Sequence, residues 1–179
     1  DEKTPETLRT ALAMGADRAL HIPHTGGDIA PLEVAQAFAK VAEKELPQLV
    51  LMGKQAIDND HGQTPSMLAE FLGWPQALNA YKLEVNDGGA EVTSEIDGGL
   101  ETFAFKLPAV ISVDLRLNTP RFVKMPDIIK ARQKPLEEIH HTFGENPMTV
   151  QKVYTPPQER KNEILETVDD LVAKLENAR

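Results

Sequence analysis

Absences bound this chain first. Its 179 residues include no cysteine, which excludes disulfides and any thiolate-based metal or redox site. No apolar run approaches the roughly 18 residues of a membrane span, and no signal peptide is visible. Excess positive charge is missing too: the formal charge is −9 and the pI is near 5, which disfavours a general nucleic-acid binder. The five histidines, His21, His24, His61, His140 and His141, show no H-E-x-x-H or comparable ligand spacing. His140-His141 reads as a solvated pair in a polar linker. Ser66, Ser94 and Ser112 sit in no G-x-S-x-G elbow. There is no internal repeat. The chain opens at Asp1-Glu2-Lys3-Thr4 without a methionine, as a processed chain or a fragment does. A hydrophobic content of 41% and a charged content of 26% are those of a soluble globular protein with one real core.

The stretch Leu49 to Leu72 organises what is present. A short apolar run, Leu49 to Met52, leads into a polar loop with glycines at 53 and 62. Thr64 follows in N-cap position, then Pro65 at the first helical position and an apolar-periodic helix. The order is strand, loop, helix. In open α/β sheets, ligands sit beyond the carboxyl ends of strands, where helix N-termini point free N–H groups outward. A phosphate there meets backbone donors, the Thr64 hydroxyl and the positive end of the helix dipole. The loop is neither a Walker loop nor G-x-G-x-x-G, so an ordinary capped βα loop is the competing reading. Asp58 and Asp60 can hold a cation, accept loop N–H groups or meet a ribose hydroxyl. His61 is a ligand contact or a turn residue beside Gly62.

Around this stretch the pattern predicts helices over 6–14 and 31–45, the first ended by Gly15 as a C-cap, the second with Leu32, Ala35, Phe38, Ala39 and Ala42 as its apolar face. A strand is expected at 18–22 and a loop from Pro23 to Asp28. Helix–strand alternation implies βαβ units and a parallel sheet. After Trp74-Pro75, alternating residues 81–85 and 91–96 flank Asn86-Asp87-Gly88-Gly89, a hairpin signal. Asp97-Gly98-Gly99 turns into a strand at 100–106, and Ala109 to Val113 forms another. The expected fold class is therefore α/β: a Rossmann-like, mostly parallel sheet with helices on both faces, an antiparallel β-meander extending or crossing that one sheet, and a C-terminal arm ending in a helix. Asp127 is expected to cap a short basic helix over 128–134, followed by a strand at 136–139. The domain spans 1–139. The arm, 140–179, holds a proline-punctuated linker and an amphipathic helix over 163–176 with Ile164, Leu165, Val168, Leu171, Val172 and Leu175 in one stripe.

Residues 115–126 have the composition of a docking surface. Leu115, Leu117, Phe122, Val123 and Met125 lie among Pro120 and Pro126, an apolar patch if uncovered. Arg116, Arg121, Lys124, Lys130, Arg132 and Lys134 make the region locally basic in an acidic protein, which favours an acidic partner. Inward packing of the apolar residues is the alternative.

Residues 11–18 (Ala-Leu-Ala-Met-Gly-Ala-Asp-Arg), 53–64, 71–76 (Phe-Leu-Gly-Trp-Pro-Gln), 95–102 (Glu-Ile-Asp-Gly-Gly-Leu-Glu-Thr), 106–110 and 114–121 (Asp-Leu-Arg-Leu-Asn-Thr-Pro-Arg) resemble the β subunit of electron transfer flavoprotein, in the group serving fatty-acid oxidation in mitochondria and related bacteria. The resemblance implies an electron carrier rather than an enzyme. Its partner would be an α subunit holding most of the FAD, and the heterodimer would move electrons from acyl-CoA and related dehydrogenases to a membrane quinone oxidoreductase, without nucleic acid or membrane insertion. It implies a mitochondrial matrix or bacterial cytoplasmic location. It places a structural AMP phosphate on Gly53, Lys54, Gln55, Ala56, Ile57, Asp58, Asn59, Asp60, His61, Gly62, Gln63 and Thr64. It makes 113–135 the recognition loop, with Met125 as the apolar anchor among Leu115, Arg116, Pro120, Arg121, Pro126, Ile128 and Lys130. Lys130 matches a methylatable lysine, and Gln133 stands where the second would be. Glu95 matches an acid near the electron-transfer interface. The family pattern begins upstream of Asp1, so the chain is expected to carry the phosphate-side half of the AMP site. The rival expectation is a universal-stress-like ATP-binding α/β protein, against which the long meander argues.

Overall fold

The computed structural model describes residues 3–27, 29–144, 148–157 and 163–177. Asp28, the end of the loop expected after Pro23, lies outside them, as does part of the linker. The chain forms two units, Asp1–Asn146 and Pro147–Arg179.

The first unit begins with helix α1 (Thr4–Ala13). Gly15, at φ +125°, lets the backbone fold back. Its N–H reaches Leu12 O (3.3 Å) and the Ala16 N–H reaches Ala11 O (3.2 Å), the two bonds of a Schellman cap. Strand β1 (Ala19–His21) follows, then helix α2 (Pro31–Glu45). The start of α2 is set by Pro31 and by the Glu33 carboxylate, which accepts the Ala30 N–H (3.2 Å) as one half of a capping box. Ala35, Ala37, Ala39 and Ala42 are buried. Phe38, expected on that apolar face, is 41% exposed and stands at the wall of an open recess.

Strand β2 (Leu49–Gly53) leads through the polar loop to α3 (Thr64–Leu72). Strand β3 (Gln76–Asn86), β4 (Gly89–Ile96) and β5 (Gly99–Lys106) form the meander, and β6 (Ala109–Val113) returns. The strand order is β2-β6-β3-β4-β5. The pairs β2–β6 and β6–β3 are parallel; β3–β4 and β4–β5 are antiparallel. Strand β3 serves both parts by switching partner at an irregularity between Ala77 and Lys82. Asn79 sits there at φ +56° and donates its backbone N–H to Ser112 Oγ (2.9 Å). Asn tolerates the left-handed region better than most residues, and the bend re-aims the strand.

Strand β6 is the buried centre. Val110 packs with Ala35, Ala39, Leu68 and Ala69 beneath α2 and α3. Ile111, one residue on, points to the other face and packs with Ala77, Ala80 and Val92. Alternation along one strand thus joins two clusters.

Helix α4 (Met125–Ala131) and strand β7 (Leu136–Glu138) complete the unit. The expected helix over 128–134 begins earlier: Lys124 is the N-cap, without a side-chain cap, and Asp127 lies in the first turn rather than at the cap. Pro126 at the helix start supplies the preset φ that fixes this earlier beginning. Helices α1 and α4 clamp each other: Arg9 Nη1 donates to Ala131 O (2.7 Å) and Lys134 O (2.6 Å), while Lys134 Nζ donates to Leu12 O (3.0 Å) and Ala16 O (2.6 Å). Each cation satisfies the exposed carbonyls of the other helix's end.

The expected single sheet is two. β1 pairs with β7, in parallel, as a separate two-stranded sheet. Among the described residues β1 and β2 each keep one edge without a strand partner, and residues of both strands line one recess of about 680 Å3 whose other walls include Phe38, Val41 and Leu68.

In the second unit, helix α5 spans Val168–Asn177, shorter at its start than the stretch 163–176 expected from periodicity. Thr167 decides the boundary: its Oγ1 accepts the Asp170 N–H (3.2 Å), and Asp170 Oδ2 accepts the Thr167 N–H (3.1 Å). That reciprocal cap excludes Ile164 and Leu165 from the helix.

Candidate functional site

The register Gly53↔Val113 brings the ends of β2 and β6 side by side. Two segments therefore leave one sheet edge together: the loop 53–64 and the segment beginning at Asp114. Parallel neighbours create this arrangement, since their carboxyl ends lie at the same side.

The loop lines a cavity of about 330 Å3, with Gly53, Lys54, Gln55, Ala56, Asn59, His61, Gly62, Gln63 and Thr64 among its walls. Ile57, Asp58 and Asp60 are outside that lining. Ile57 is fully exposed. Asp58 Oδ1 accepts the Asn59 N–H (2.8 Å), and Asp60 Oδ1 accepts from Gln55 Nε2 (2.5 Å), so both carboxylates shape the loop. Among the described residues no group of His, Asp or Glu can hold a metal. Gly62, at φ +59°, takes a conformation that costs most other residues about 1 kcal/mol.

Sequence reasoning missed the opposite wall. Ile29, Pro31 and Val34 close the cavity, so the N-terminal turns of α2 and α3 both border it. Pro31 at a helix start marked one of those termini. Thr64, expected as N-cap, is the first helical residue of α3, and Gln63 caps without a side-chain bond. The unsatisfied N–H groups of α3's first turn thus remain available to an anion. The larger recess between β1 and β2 is walled mainly by aliphatic and aromatic side chains, which suits an apolar occupant. The smaller cavity differs in being bordered by the loop 53–64 and by two helix starts.

Lys54, the loop's ammonium, is paired with the first residue of the other segment. Its Nζ lies 2.7 Å from Asp114 Oδ2, and its backbone N–H donates to Val113 O (3.1 Å). Asp114 Oδ1 accepts the backbone N–H (3.2 Å) and Nε (3.1 Å) of Arg116. The outer end of Arg116 pairs with the Glu95 carboxylate, and its guanidinium lies 5.9 Å from the Tyr81 ring centre. Glu95, the expected interface acid, is thus held by an arginine of its own chain. These bonds hold the Asp114 carboxyl at about 2, against an ordinary 3.8; the Lys54 bond is the largest cause, followed by the Arg116 bonds. A depressed carboxylate stabilises the fold fully above its unfolded value and loses that contribution as pH falls through the folded one. Asp114→Asn therefore lowers the melting temperature near neutral pH, and the gap to the parent narrows between pH 4 and 2. Melting curves of both proteins across that range test this; a constant gap contradicts it.

The docking residues divide. Leu115 (88% exposed), Phe122 (86%) and Met125 (69%) stand out from the surface, while Leu117 packs against the second core cluster. Val123 and Ile128 line a groove with Pro5, Arg9 and Thr10 of α1. Arg121 lies beside Gly15, where an added Cβ would stand 3.0 Å from its Nη1. Pro120 is exposed, and Lys130 sits in the last turn of α4. Of the six basic residues, Arg116 and Lys134 are engaged internally, so the outward basic character rests chiefly on Lys124, Lys130 and Arg132. His141, expected to be solvated, stacks edge-on against Phe143 at 4.7 Å. Burial, then the Lys40 charge, lowers its pKa.

Comparison with known proteins gives a consistent result. An electron transfer flavoprotein domain matches residues 1–143. The chain is 49% identical over 177 residues to electron transfer flavoprotein subunit beta of Homo sapiens, covering 95% of this chain and 69% of that protein. It is 44% identical over 182 residues to the mitochondrial subunit beta of Oryza sativa subsp. japonica, covering 98% and 72%. It is 46% identical over 176 residues to the subunit beta of Bradyrhizobium diazoefficiens, covering 96% and 70%.

Proposed function

Because the chain belongs to the electron transfer flavoprotein family, as a β subunit and so an electron carrier rather than an enzyme, we propose that it works in a heterodimer with an FAD-bearing α subunit. The heterodimer accepts electrons from acyl-CoA and related dehydrogenases and passes them to a quinone oxidoreductase. The flavin supplies the redox chemistry when bound. This chain supplies scaffold, a nucleotide site and a docking surface. Family membership sets aside the universal-stress-like alternative.

The observation that carries the reading is the pair of segments leaving the ends of β2 and β6. One frames a small cavity bordered by two helix N-termini; the other presents Leu115, Phe122 and Met125 to solvent. The cavity suits the phosphate end of AMP: free N–H groups and two positive dipole ends face one anion. Gly53 to Thr64 would hold it, with Asp58 and Asp60 acting through loop shape. The docking surface comprises Leu115, Arg116, Pro120, Arg121, Met125, Pro126, Ile128 and Lys130, with Lys130 open to methylation. Its cationic surround would speed encounter with an acidic partner. Among the described residues no helix is long and apolar enough to cross a membrane. Its working location on this reading is a mitochondrial matrix or a bacterial cytoplasm; one relative is named mitochondrial and another is bacterial.

Small molecules released by denaturing the purified heterodimer test the reading. AMP and FAD together support it; ATP or ADP without flavin overturns it. In addition, Thr64→Ala removes a hydroxyl at the cavity and is expected to reduce the rise in heterodimer melting temperature that added AMP produces. An equal rise in variant and parent would remove Thr64 from the site.

A further inference from the structure

We propose that Asp114 is a positioning residue joining the nucleotide loop to the docking segment, so that AMP occupancy and dehydrogenase docking are thermodynamically coupled. The inference rests on the nucleotide and docking assignments above.

Asp114 is the residue after β6, and only 9% exposed. Its two carboxylate oxygens serve different segments: Oδ2 holds Lys54 of the loop, and Oδ1 holds the backbone and Nε of Arg116. Its carbonyl accepts the Leu117 N–H (3.1 Å), so the turn that displays Leu115 closes on Asp114 itself. Its N–H reaches Ala80 O (3.4 Å), and Arg116 continues to Glu95 on β4. The loop and the docking turn thus share one buried carboxylate, and Arg116 extends the connection to the meander.

Removing Lys54, itself partly exposed, leaves the buried Asp114 carboxylate short of a charge partner, which is costly. Such a pair therefore links the order of the segments that supply it. A nucleotide that orders the loop holds Lys54 in place on Asp114, and Asp114 in turn holds the Arg116 turn. Docking onto Leu115 and Met125 then meets a segment already ordered, and the second ligand bears less of the ordering cost. The coupling is reciprocal, so docking strengthens AMP binding by the same factor. A nucleotide that merely filled the cavity would leave docking unchanged.

The test compares AMP-loaded and AMP-depleted αβ heterodimer. The KM for an acyl-CoA dehydrogenase, with the heterodimer as its electron acceptor, is measured in each state, alongside the AMP Kd with and without that dehydrogenase. In the parent, AMP lowers the KM roughly fivefold and leaves kcat unchanged, within the usual range of coupling strengths. In Asp114→Asn and in Lys54→Met the ratio falls towards one, and Asp114→Glu restores part of it. Lys54 is partly exposed, so its variant keeps the test open if Asp114→Asn fails to fold. The proposal is overturned if AMP binds the parent without changing the KM, or if both variants keep the parent's ratio. A parent that binds no AMP overturns the nucleotide assignment and this inference with it.

Discussion

Met125→Ala raises the dehydrogenase KM of the heterodimer by roughly ten- to thirtyfold, the effect of deleting an interface anchor worth about 2 kcal/mol. Melting temperature and FAD content stay at parent values. Three features favour Met125 as the proposed anchor. Its side chain is 69% exposed, so truncation leaves no cavity in the subunit. It occupies the first position of α4 with Pro126 behind it, which lowers the entropy cost of ordering that residue on binding. Its unbranched thioether suits it to adapt to a partner's apolar surface. Leu115 and Phe122 are still more exposed, but neither sits on a helix, so their ordering on binding costs more. Steady-state kinetics with varied dehydrogenase decide the matter. Unchanged transfer in Met125→Ala would move the anchor to Phe122 or Leu115.

The second large effect is on stability. Leu68→Ala destabilises the subunit by about 2–5 kcal/mol, the range for an emptied leucine site. For a chain of this size that lowers the melting temperature by roughly 5–15 °C. Leu68 is 1% exposed and packs with Ala35, Ala39, Ala69 and Val110. Three of those neighbours are alanines on α2 and α3, whose short side chains fill little of the void. Phe71, one turn along the same helix, is 46% exposed, and Phe71→Ala costs less than half as much. Thermal unfolding of both variants distinguishes burial from hydrophobicity as the cause; equal losses would contradict the assignment of Leu68 to the core. Because α3 frames the proposed nucleotide cavity from its N-terminus, Leu68→Ala is also expected to release AMP more readily than Phe71→Ala.

Much of the site was legible in the chain because its signals are local. The strand, the glycine-flanked loop and the proline-led helix sit within one stretch, and α2 runs from Pro31 to Glu45 as its pattern predicts. The hairpin at Asn86–Gly89 and strand Ala109–Val113 also carry their own turn and propensity signals. Where local signals compete, boundaries shifted: Thr64 against Gln63, Asp127 against Pro126, and Glu163 against Thr167. Each pair offers two adequate starts, and the surrounding bonds choose one.

Sequence alone determined the apolar periodicity, the turn chemistry, the absence of thiol chemistry and the family resemblance, since each depends on residues close in the chain or on their order. Tertiary structure decided that β6 lies between β2 and β3, that β1 joins β7 in a separate sheet, and that Leu115 faces outward while Leu117 faces the core. It also turned Lys54, a plausible phosphate ligand in its loop, towards Asp114. The reason is that strand order and ion pairing join residues far apart in the chain, and a lysine or a leucine carries no local mark of which distant partner it will meet.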